Sequence, residues 1–206
     1  IKRPEAKISW NPIQAEKAGY KHFMLKEIHE QPRVVEDTLL GRLKVQSGQV
    51  TLDETGLNKK EATNLSHIHF IACGTSWHAA LIGSFLIEKY ARLPCRVDIA
   101  SEFRYRDPLI DQRTLVVAIS QSGETADTLA ATRLAKKKGA KVFAITNVVG
   151  SSLTREAASS LLTHCGPEIG VASTKAFMGQ LVALTLLTLF LSDAKKSVPK
   201  KQLITM

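Results

Sequence analysis

Short runs of apolar and β-branched residues alternate with helical patterns between residues 67 and 192 of the chain. The runs predict strands at residues 69–73, 96–100, 114–120, 141–146 and 161–165. The helical patterns predict helices at residues 77–91, 124–138, 151–157 and 174–191. Nearly continuous apolar strands are typical of a parallel sheet that is buried on both faces, and the alternation indicates βαβ crossovers. We therefore expect an α/β fold, a three-layer α/β/α sandwich around a five-stranded parallel sheet.

The two ends of the chain differ from this central region. Residues 1–66 are polar and show helical spacing without a strand pattern, so they predict an N-terminal helical extension that packs on the α/β domain. Pro32 interrupts the apolar spacing, which predicts two helices or a kink near Gln31. Residues 193–206 carry four lysines with little periodicity and are predicted to be an interdomain linker.

Composition and charge exclude several classes of protein. The 206 residues are 44% hydrophobic and 23% charged, which is enough apolar material for one buried core. The 28 Lys and Arg residues exceed the 19 Asp and Glu residues, and the resulting net charge of +9 favours anionic partners such as phosphates. Aromatic residues make up 6% and are not interleaved with the basic residues, so the sequence argues against nucleic-acid binding.

Location and redox state can also be predicted from the sequence. The first five residues contain no apolar signal core, so we expect a cytoplasmic protein. The longest uncharged run, residues 176–192, contains Gly179 and Gln180 and is slightly short for a membrane span, which favours a buried helix. The three cysteines lie far apart in apolar stretches and are predicted to be reduced. Because residue 1 is Ile rather than Met, we expect the chain to be a piece of a longer protein.

The segments after three of the predicted strands carry hydroxyl groups and glycines. They read Cys73-Gly74-Thr75-Ser76, Ser120-Gln121-Ser122-Gly123-Glu124-Thr125 and, after the last strand, residues 166–174. Ligands of open parallel sheets bind at the carboxyl ends of the strands, and the free N–H groups of a helix start attract anions. An ordinary N-cap role for Ser122 or Thr125 is the alternative. Four hydroxyls at one edge of the sheet favour a phosphate site, and they belong to Ser76, Ser120, Ser122 and Thr125.

Nucleotide and metal motifs are not found in the sequence. The segment at residues 73–76 lacks the second glycine of a GxGxxG fingerprint, and no GK[ST] follows it, so we expect neither NAD nor ATP. The six histidines are scattered without ligand spacing, and the cysteines form no CxxC pair. We therefore predict no metal and no cofactor. Cys73 is predicted to be a small core residue rather than a nucleophile.

Glu168 and Lys175 flank a short loop segment and have chemistry that a catalytic site could use. A glutamate there could act as a general base, and a lysine could form a Schiff base with a carbonyl group. Residues of these types are more often a loop charge and a side chain at a helix start. The sequence pattern alone therefore favours structural roles for Glu168 and Lys175.

The hydroxyl-rich segments carry a resemblance to a known family. The segment at residues 120–125, with residues 73–76 upstream, resembles the sugar isomerase (SIS) domain. More narrowly, three segments are similar to the isomerase half of glutamine–fructose-6-phosphate aminotransferases, or glucosamine-6-phosphate synthases. They are HFMLKEIHEQP at residues 22–32, ASEFRYR at residues 100–106 and EIGVASTKAF at residues 168–177. The resemblance extends from about Tyr20 to Leu191.

This resemblance implies a flavodoxin-like SIS fold and a substrate. The family converts fructose 6-phosphate and glutamine into glucosamine 6-phosphate and glutamate. Its isomerase half consists of two SIS domains, and the chain resembles the first, in which the hydroxyl-rich turn holds the phosphate and two further segments line the sugar. The substrate-binding residues that the resemblance implies are Thr75, Ser76, Ser120, Gln121, Ser122, Thr125, Val171 and Ser173.

The resemblance also implies which groups lie elsewhere. In the family, the glutaminase domain carries a nucleophilic cysteine, while the second SIS domain and the C-terminal tail supply the glutamate, histidine and lysine of the isomerase reaction. The resemblance therefore implies that residues 67–192 are the first SIS domain, that this chain contains no catalytic residue, and that the isolated chain is inactive. The expected partners are the glutaminase domain, the second SIS domain and a second subunit of a homodimer.

Two other functions are possible for a chain of this pattern. One is a stand-alone SIS module that senses sugar phosphates in a regulator, although residues 1–66 contain no convincing helix-turn-helix. The other is a single-domain sugar-phosphate isomerase, which would need its own acid and base. In addition, the predicted helix is apolar nearly all round at residues 177–190, so we expect it to leave an exposed face through which the chain self-associates.

Overall fold

The computed structural model describes residues 15–199 and Lys201, and the remaining parts of the predicted extension and linker lie outside the described residues. The helices are α1 (Phe23–His29), α2 (Gln31–Leu39), α3 (Lys59–Asn64), α4 (Gly74–Tyr90), α5 (Ala100–Tyr105), α6 (Ala126–Lys137), α7 (Ser152–Glu156) and α8 (Lys175–Lys195). The strands are β1 (Leu43–Lys44), β2 (Gln49–Val50), β3 (His67–Ala72), β4 (Cys95–Ile99), β5 (Thr114–Ser120), β6 (Lys141–Thr146) and β7 (Ser159–Leu162). Short 3-10 turns lie at Val45–Ser47 and Asp53–Thr55.

Strands β3 to β7 form one parallel sheet in the order β4-β3-β5-β6-β7. Helices cover both of its faces, which confirms the predicted α/β/α sandwich and its five-stranded parallel sheet. The register aligns Ala72 with Ile119 and Ser120 with Thr146. The carboxyl ends of β3, β5 and β6 therefore lie side by side at one edge of the sheet.

The side chains of the central strands alternate between two apolar cores. In β5, Val117 and Ile119 join the core under α4 and α8, whereas Val116 and Ala118 join the core under α5, α6 and α7. Every residue of β5 is buried. This two-sided burial explains why the strand has a continuous apolar sequence instead of an alternating one.

The order of the strands creates a crevice between β3 and β5. β3 is the first strand of the sheet along the chain, and its neighbours β4 and β5 are the second and third. The helices that follow β3 and β5 pack on opposite faces, with α4 in one core and α6 in the other. In doubly wound sheets, this reversal is the point at which ligands bind. The segments at residues 73–76 and 120–125 both begin there.

The described part of the N-terminal extension contains the two predicted helices. α1 ends at His29 and α2 begins at Gln31, with Pro32 in the first turn of α2, where its missing N–H costs nothing. The expectation that residues 1–66 contain no strand is wrong, because β1 and β2 pair as an antiparallel ribbon. Each of these strands has only two residues, which is too short to give a readable alternation.

Helix α8 is buried by this chain's own elements. No residue of α8 is exposed, and α8 packs against α2, α3 and α4. The expectation of an exposed apolar face on this helix is therefore wrong, since the N-terminal helices cover the side that the sheet leaves free. Among the described residues, α8 alone has the length and hydropathy of a membrane span, and 67% of its most apolar window is buried inside the domain. This burial is typical of a core helix, as the polar residues in the run predicted.

Several element boundaries differ from the predicted ones. β3, β4 and β7 each begin and end one to three residues before the predicted bounds, and α5 was not predicted because it follows β4 without a loop. Asp193 to Lys195, predicted as the start of a linker, form the last turn of α8. The following residues pack on the domain, because the Ser197 hydroxyl donates to the Tyr90 carbonyl at 2.6 Å. The division into extension, SIS domain and linker otherwise stays a prediction.

Candidate functional site

The turn at residues 120–125 is organised by the side chain of Ser120. Ser120 ends β5 and is buried, and its Oγ lies 2.9 Å from Thr125 Oγ1. The same Oγ accepts a hydrogen bond of 3.1 Å from the N–H of Gly123. Ser122 lies at the tip of the turn, half-buried, with its Oγ accepting from the N–H of Glu124 at 3.2 Å. Ser120 therefore closes the turn from within, whereas Ser122 and Thr125 are half-buried.

Gly123 is required by both the backbone and the packing of this turn. Its φ angle is +68°, a left-handed conformation that residues with a side chain rarely adopt. A Cβ atom at this position would lie 2.2 Å from Ser151 Oγ and 3.0 Å from Thr146 Oγ1. The turn therefore lies directly against the end of β6 and the start of α7, with no room for a side chain.

Backbone contacts fix the turn to its neighbours in the same way. The Gln121 carbonyl accepts from the Asn147 N–H at 3.1 Å and from Thr146 Oγ1 at 3.3 Å. The N–H of Ser152 donates to Glu124 Oε1 at 2.7 Å, and this bond lowers the pKa of the exposed Glu124 carboxyl. Hydrogen bonds to the end of β6 and to the start of α7 thus hold the turn in place without a ligand.

Helix α6 begins at this turn and presents unpaired backbone N–H groups. Thr125 is the N-cap residue, and its side chain makes no capping bond. The first intrahelical bond runs from the Leu129 N–H to the Thr125 carbonyl, so the N–H groups before it have no partner within the helix. Residues 120–128 contain no lysine or arginine, and Asp127 pairs with Arg104 at 2.8 Å. The turn therefore offers an anion neutral donors, namely N–H groups and hydroxyls.

The second predicted segment lies beside this turn. Cys73 precedes α4, and Thr75 and Ser76 lie in the first turn of the helix, Thr75 exposed and Ser76 buried. The hydroxyl of Thr128 in α6 lies 4.0 Å from the sulfur of Cys73. The two helix starts therefore meet at the crevice between β3 and β5. Ser76 also accepts a hydrogen bond of 2.9 Å from Gln180 Nε2 in α8.

The third segment, the loop between β7 and α8, is held in place by two carboxylates. Glu168 accepts from the Ser173 hydroxyl at 3.1 Å and from the N–H groups of Thr174 and Ala176, so it caps the start of α8. Glu27 in α1 accepts from the N–H groups of Ile169 and Gly170. Val171 is fully exposed at the tip of the loop, and Ser173 is half-buried near its end.

Glu168 and Lys175 both have structural partners. Glu168 is occupied by the cap of α8. The ammonium group of Lys175 is buried and pairs with Glu30 at 2.6 Å, and Lys26 lies 3.4 Å from the same carboxylate. These contacts tie α8 to the first two helices. Both side chains therefore have structural roles in this region.

Three residues that the sequence analysis did not select hold the site together. Asn147 accepts from the Cys165 N–H at 2.7 Å and donates to the Gly166 carbonyl at 2.7 Å, so it joins the residue 120–125 turn to the loop after β7. Asn147 directly follows β6, a position that the strand-end rule could have identified. Gln180 is one of few polar residues in an apolar run, which was also a usable signal. The sequence contains no such signal for Glu27, because its partners lie 142 and 143 residues away.

Comparison with known families places these segments in a wider context. The family model described as the SIS domain matches residues 63–190 of the chain. This range includes the turns at residues 73–76 and 120–125 and the loop before α8. It leaves out α1, α2 and the residue between them, and thus Glu27 in α1 and Glu30 at the junction of the two helices.

Curated relatives extend the similarity to the N-terminal helices. The chain is 54% identical over 203 residues to the glutamine–fructose-6-phosphate aminotransferase (isomerizing) of Clostridium tetani, covering 98% of this chain and 33% of that protein. It is 58% identical over 187 residues to the enzyme of the same name from Symbiobacterium thermophilum, covering 91% of this chain and 31% of that protein. The chain thus spans about a third of the length of these relatives.

A solved structure has a similar fold. It is the C-terminal domain of glucosamine-fructose-6-phosphate aminotransferase from Francisella tularensis, with a TM-score of 0.86 and 47% sequence identity. The match covers 92% of this chain and 53% of that one.

Proposed function

The chain belongs to the SIS domain family, and on this premise we propose that it binds a sugar phosphate in the crevice between β3 and β5. The phosphate group lies on the turn at residues 120–125 and is bound by Ser122, Thr125 and the N–H groups at the start of α6. Gln121 borders the same turn, and Ser120 holds it closed. The observation that carries this proposal is the position of a hydroxyl-rich turn and a free helix start at the point where the strand order reverses.

Uncharged hydrogen-bond donors suit a sugar phosphate that must dissociate again after the reaction. Hydrogen bonds from hydroxyls and N–H groups orient a phosphate, and the helix dipole adds a partial positive charge. No cation of the chain lies within residues 120–128 to hold the anion more tightly. The sugar extends from the phosphate toward the start of α4 and the loop before α8, where Thr75, Ser76, Val171 and Ser173 form its binding surface.

The substrate we propose is fructose 6-phosphate, with glucosamine 6-phosphate as the product. This assignment is supported by relatives more than 50% identical that are named glutamine–fructose-6-phosphate aminotransferases. In this proposal the chain acts in the cytoplasm as the first SIS domain of such an enzyme. It works with a second SIS domain and a glutaminase domain, and within a homodimer. The chain binds and orients the sugar phosphate, and the partner domains supply the acid, base and amine chemistry.

Calorimetric titration of the chain tests the proposal. Fructose 6-phosphate and inorganic phosphate should both bind, and fructose should not. Ser122→Ala combined with Thr125→Ala should weaken fructose 6-phosphate about tenfold or more, since two hydrogen bonds to a charged group are lost. A matched control, Ser47→Ala combined with Thr63→Ala, removes two hydroxyls outside the site and should leave the affinity unchanged. A folded chain that binds no sugar phosphate, or a control pair that weakens binding equally, would contradict the proposal.

A further inference from the structure

We propose that Gln180 is a positioning residue that sets the direction of the Ser76 hydroxyl and, through it, the recognition of the sugar. The inference rests on the proposed function, and it concerns the sugar portion of the ligand rather than its phosphate group. Its basis is one contact between two helices and one buried atom without a partner.

The contact joins two buried side chains. Gln180 in α8 is 2% exposed, and Ser76 in α4 is 7% exposed. The amide Nε2 of Gln180 donates to Ser76 Oγ at 2.9 Å. A serine hydroxyl has one proton to donate and two lone pairs that accept. Because Gln180 occupies one lone pair, the Ser76 proton is directed away from α8.

The Ser76 proton has no acceptor among the described residues. Hydroxyls further along the same two helices behave differently, since Ser84 donates to the Leu81 carbonyl and Thr188 donates to the Leu184 carbonyl. This back-bonding is the usual choice of a helical hydroxyl. Ser76 lies only two residues after Gly74, where α4 begins, so the residue four positions before it belongs to β3 and not to the helix. Its proton is therefore available to an oxygen of a ligand.

The other end of the Gln180 amide supplies the second observation. Its Oε1 atom is buried and has no hydrogen-bond partner in the described part of the chain. Buried polar atoms are rarely left unpaired, because they have lost the water that would otherwise bond to them. Oε1 can only accept a hydrogen bond, and the oxygens of a fully ionised phosphate ester also only accept. The partner that fits is a hydroxyl group, which the sugar provides and the phosphate does not.

Close packing keeps this amide in place. A Cβ atom on Gly83 would lie 2.8 Å from a methyl carbon of Leu184, so α4 and α8 are in contact through a glycine. On another side of α8, a Cβ atom on Gly179 would lie 2.3 Å from the sulfur of Cys165. The backbone next to Gln180 is therefore confined on both sides. A side chain on such a rigid frame can select a ligand geometry without a loop having to close.

Titration of the full chain with two ligands tests the inference. Gln180→Met keeps the length of the side chain and removes both hydrogen-bonding atoms. It should weaken fructose 6-phosphate about tenfold and leave the affinity for inorganic phosphate unchanged, because only the sugar contacts are lost. The pair Ser122→Ala with Thr125→Ala should weaken both ligands. Gln112→Met, a matched change at an exposed glutamine, should weaken neither.

Two further variants separate positioning from general damage. In a Ser76→Ala background, Gln180→Met should cause a smaller additional loss than it does alone, since part of its effect acts through the Ser76 hydroxyl. Gln180→Glu keeps the shape but replaces the donor with an acceptor, so the Ser76 proton turns inward and fructose 6-phosphate binding should fall selectively. This variant provides the test if Gln180→Met does not fold.

The possible results are distinct. Equal weakening of fructose 6-phosphate and inorganic phosphate, or no change in either, overturns the role of Gln180 while the proposed function stands. The role of Gln180 is also overturned if the losses of fructose 6-phosphate affinity caused by Gln180→Met and Ser76→Ala are fully additive. If the unsubstituted chain binds no sugar phosphate, the proposed function fails, and the role of Gln180 fails with it.

Discussion

The carboxylate of Glu27 accepts a hydrogen bond of 3.1 Å from the backbone N–H of Gly170, 143 residues further along the chain. It also accepts one of 2.6 Å from the N–H of Ile169. Glu27 lies in α1, outside the range that the SIS family model matches, whereas Gly170 lies in the loop before α8. The N-terminal helices therefore belong to the candidate site, because they fix the loop that carries Val171 and Ser173.

The first prediction concerns this contact. Glu27→Gln should lower the free energy of unfolding by about 2 kcal/mol, since it replaces charge-assisted hydrogen bonds at a buried position and puts an amide donor near a backbone donor. Urea denaturation measures the loss, and hydrogen exchange at Ile169 and Gly170 should accelerate. Glu36→Gln in α2 is the matched control at an exposed glutamate and should stay within about 0.5 kcal/mol. Equal stability of the two variants would show that the contact does not hold the loop.

The second prediction concerns Gly123. Gly123→Ala should destabilise the chain by about 3 kcal/mol or more, because it combines a strained backbone with a Cβ atom 2.2 Å from Ser151 Oγ. It should also remove phosphate binding, since the turn must shift to relieve the overlap. Gly139→Ala is a control with a similar conformation, φ +89°, and no atom closer than 3.9 Å, so it should cost only about 1–2 kcal/mol. A stable Gly123→Ala variant that binds fructose 6-phosphate normally would contradict the geometry of the turn.

The third prediction concerns pH. His69 is 1% exposed, and its Nε2 lies 2.7 Å from Asp98 Oδ2, while Arg106 and Arg96 lie on the other sides of the same carboxylate. Burial lowers the pKa of His69 below 6.5, although the hydrogen bond to Asp98 acts in the opposite direction. The folded state thus favours the neutral imidazole, and the unfolded state binds the proton more readily. The stabilisation is complete above pH 6.5 and is lost as the pH falls through the lowered pKa.

Urea denaturation at several pH values tests this linkage. The free energy of unfolding should decline between pH 7 and pH 5, and the decline should be shallower in His69→Gln, which cannot take up the proton. Parallel pH profiles for the two proteins would assign the decline to other groups.

The sequence predicts those parts of the fold that depend on local patterns of apolar residues and prolines. The bounds of β5 and β6 follow directly from their continuous apolar runs, because both faces of these strands are buried. The break between α1 and α2 follows from Pro32. A buried helix could be predicted for α8, but its cover by α2 and α3 could not, since these helices pack against it from distant parts of the chain. A pattern along one helix does not show what covers it.

The candidate site divides in the same way. The turn at residues 120–125 could be predicted because its hydroxyls, its glycine and the helix start are adjacent in sequence. Ser120 was predicted to bind the ligand, but in the structure its buried hydroxyl bonds to Gly123 and Thr125 and so shapes the turn from within. Glu27 and Asn147 act through long-range contacts with backbone groups. The place of Asn147 directly after β6 could have identified it, but its backbone partners could not be predicted, because nearly every residue carries such groups. For Glu27 the sequence contains no signal of either kind.

The last prediction concerns the three cysteines, which are all free. Burial raises the pKa of Cys95 to about 12, with a further contribution from Glu88, and burial raises the pKa of Cys165 to about 11. At pH 8 fewer than about one thiol in a thousand is then ionised at these positions, and the thiolate is the reactive form.

Labelling with a chromogenic disulfide reagent at pH 8 tests this prediction. In a Cys73→Ser variant, which leaves only these two thiols, the native protein should not react with the reagent within minutes. In guanidinium chloride, two thiols per chain should react at once. Rapid labelling of the native variant would mean that the cores around Cys95 and Cys165 admit water and reagent. Slow labelling that follows the unfolding rate would confirm that both are packing residues, as the apolar stretches around them predicted.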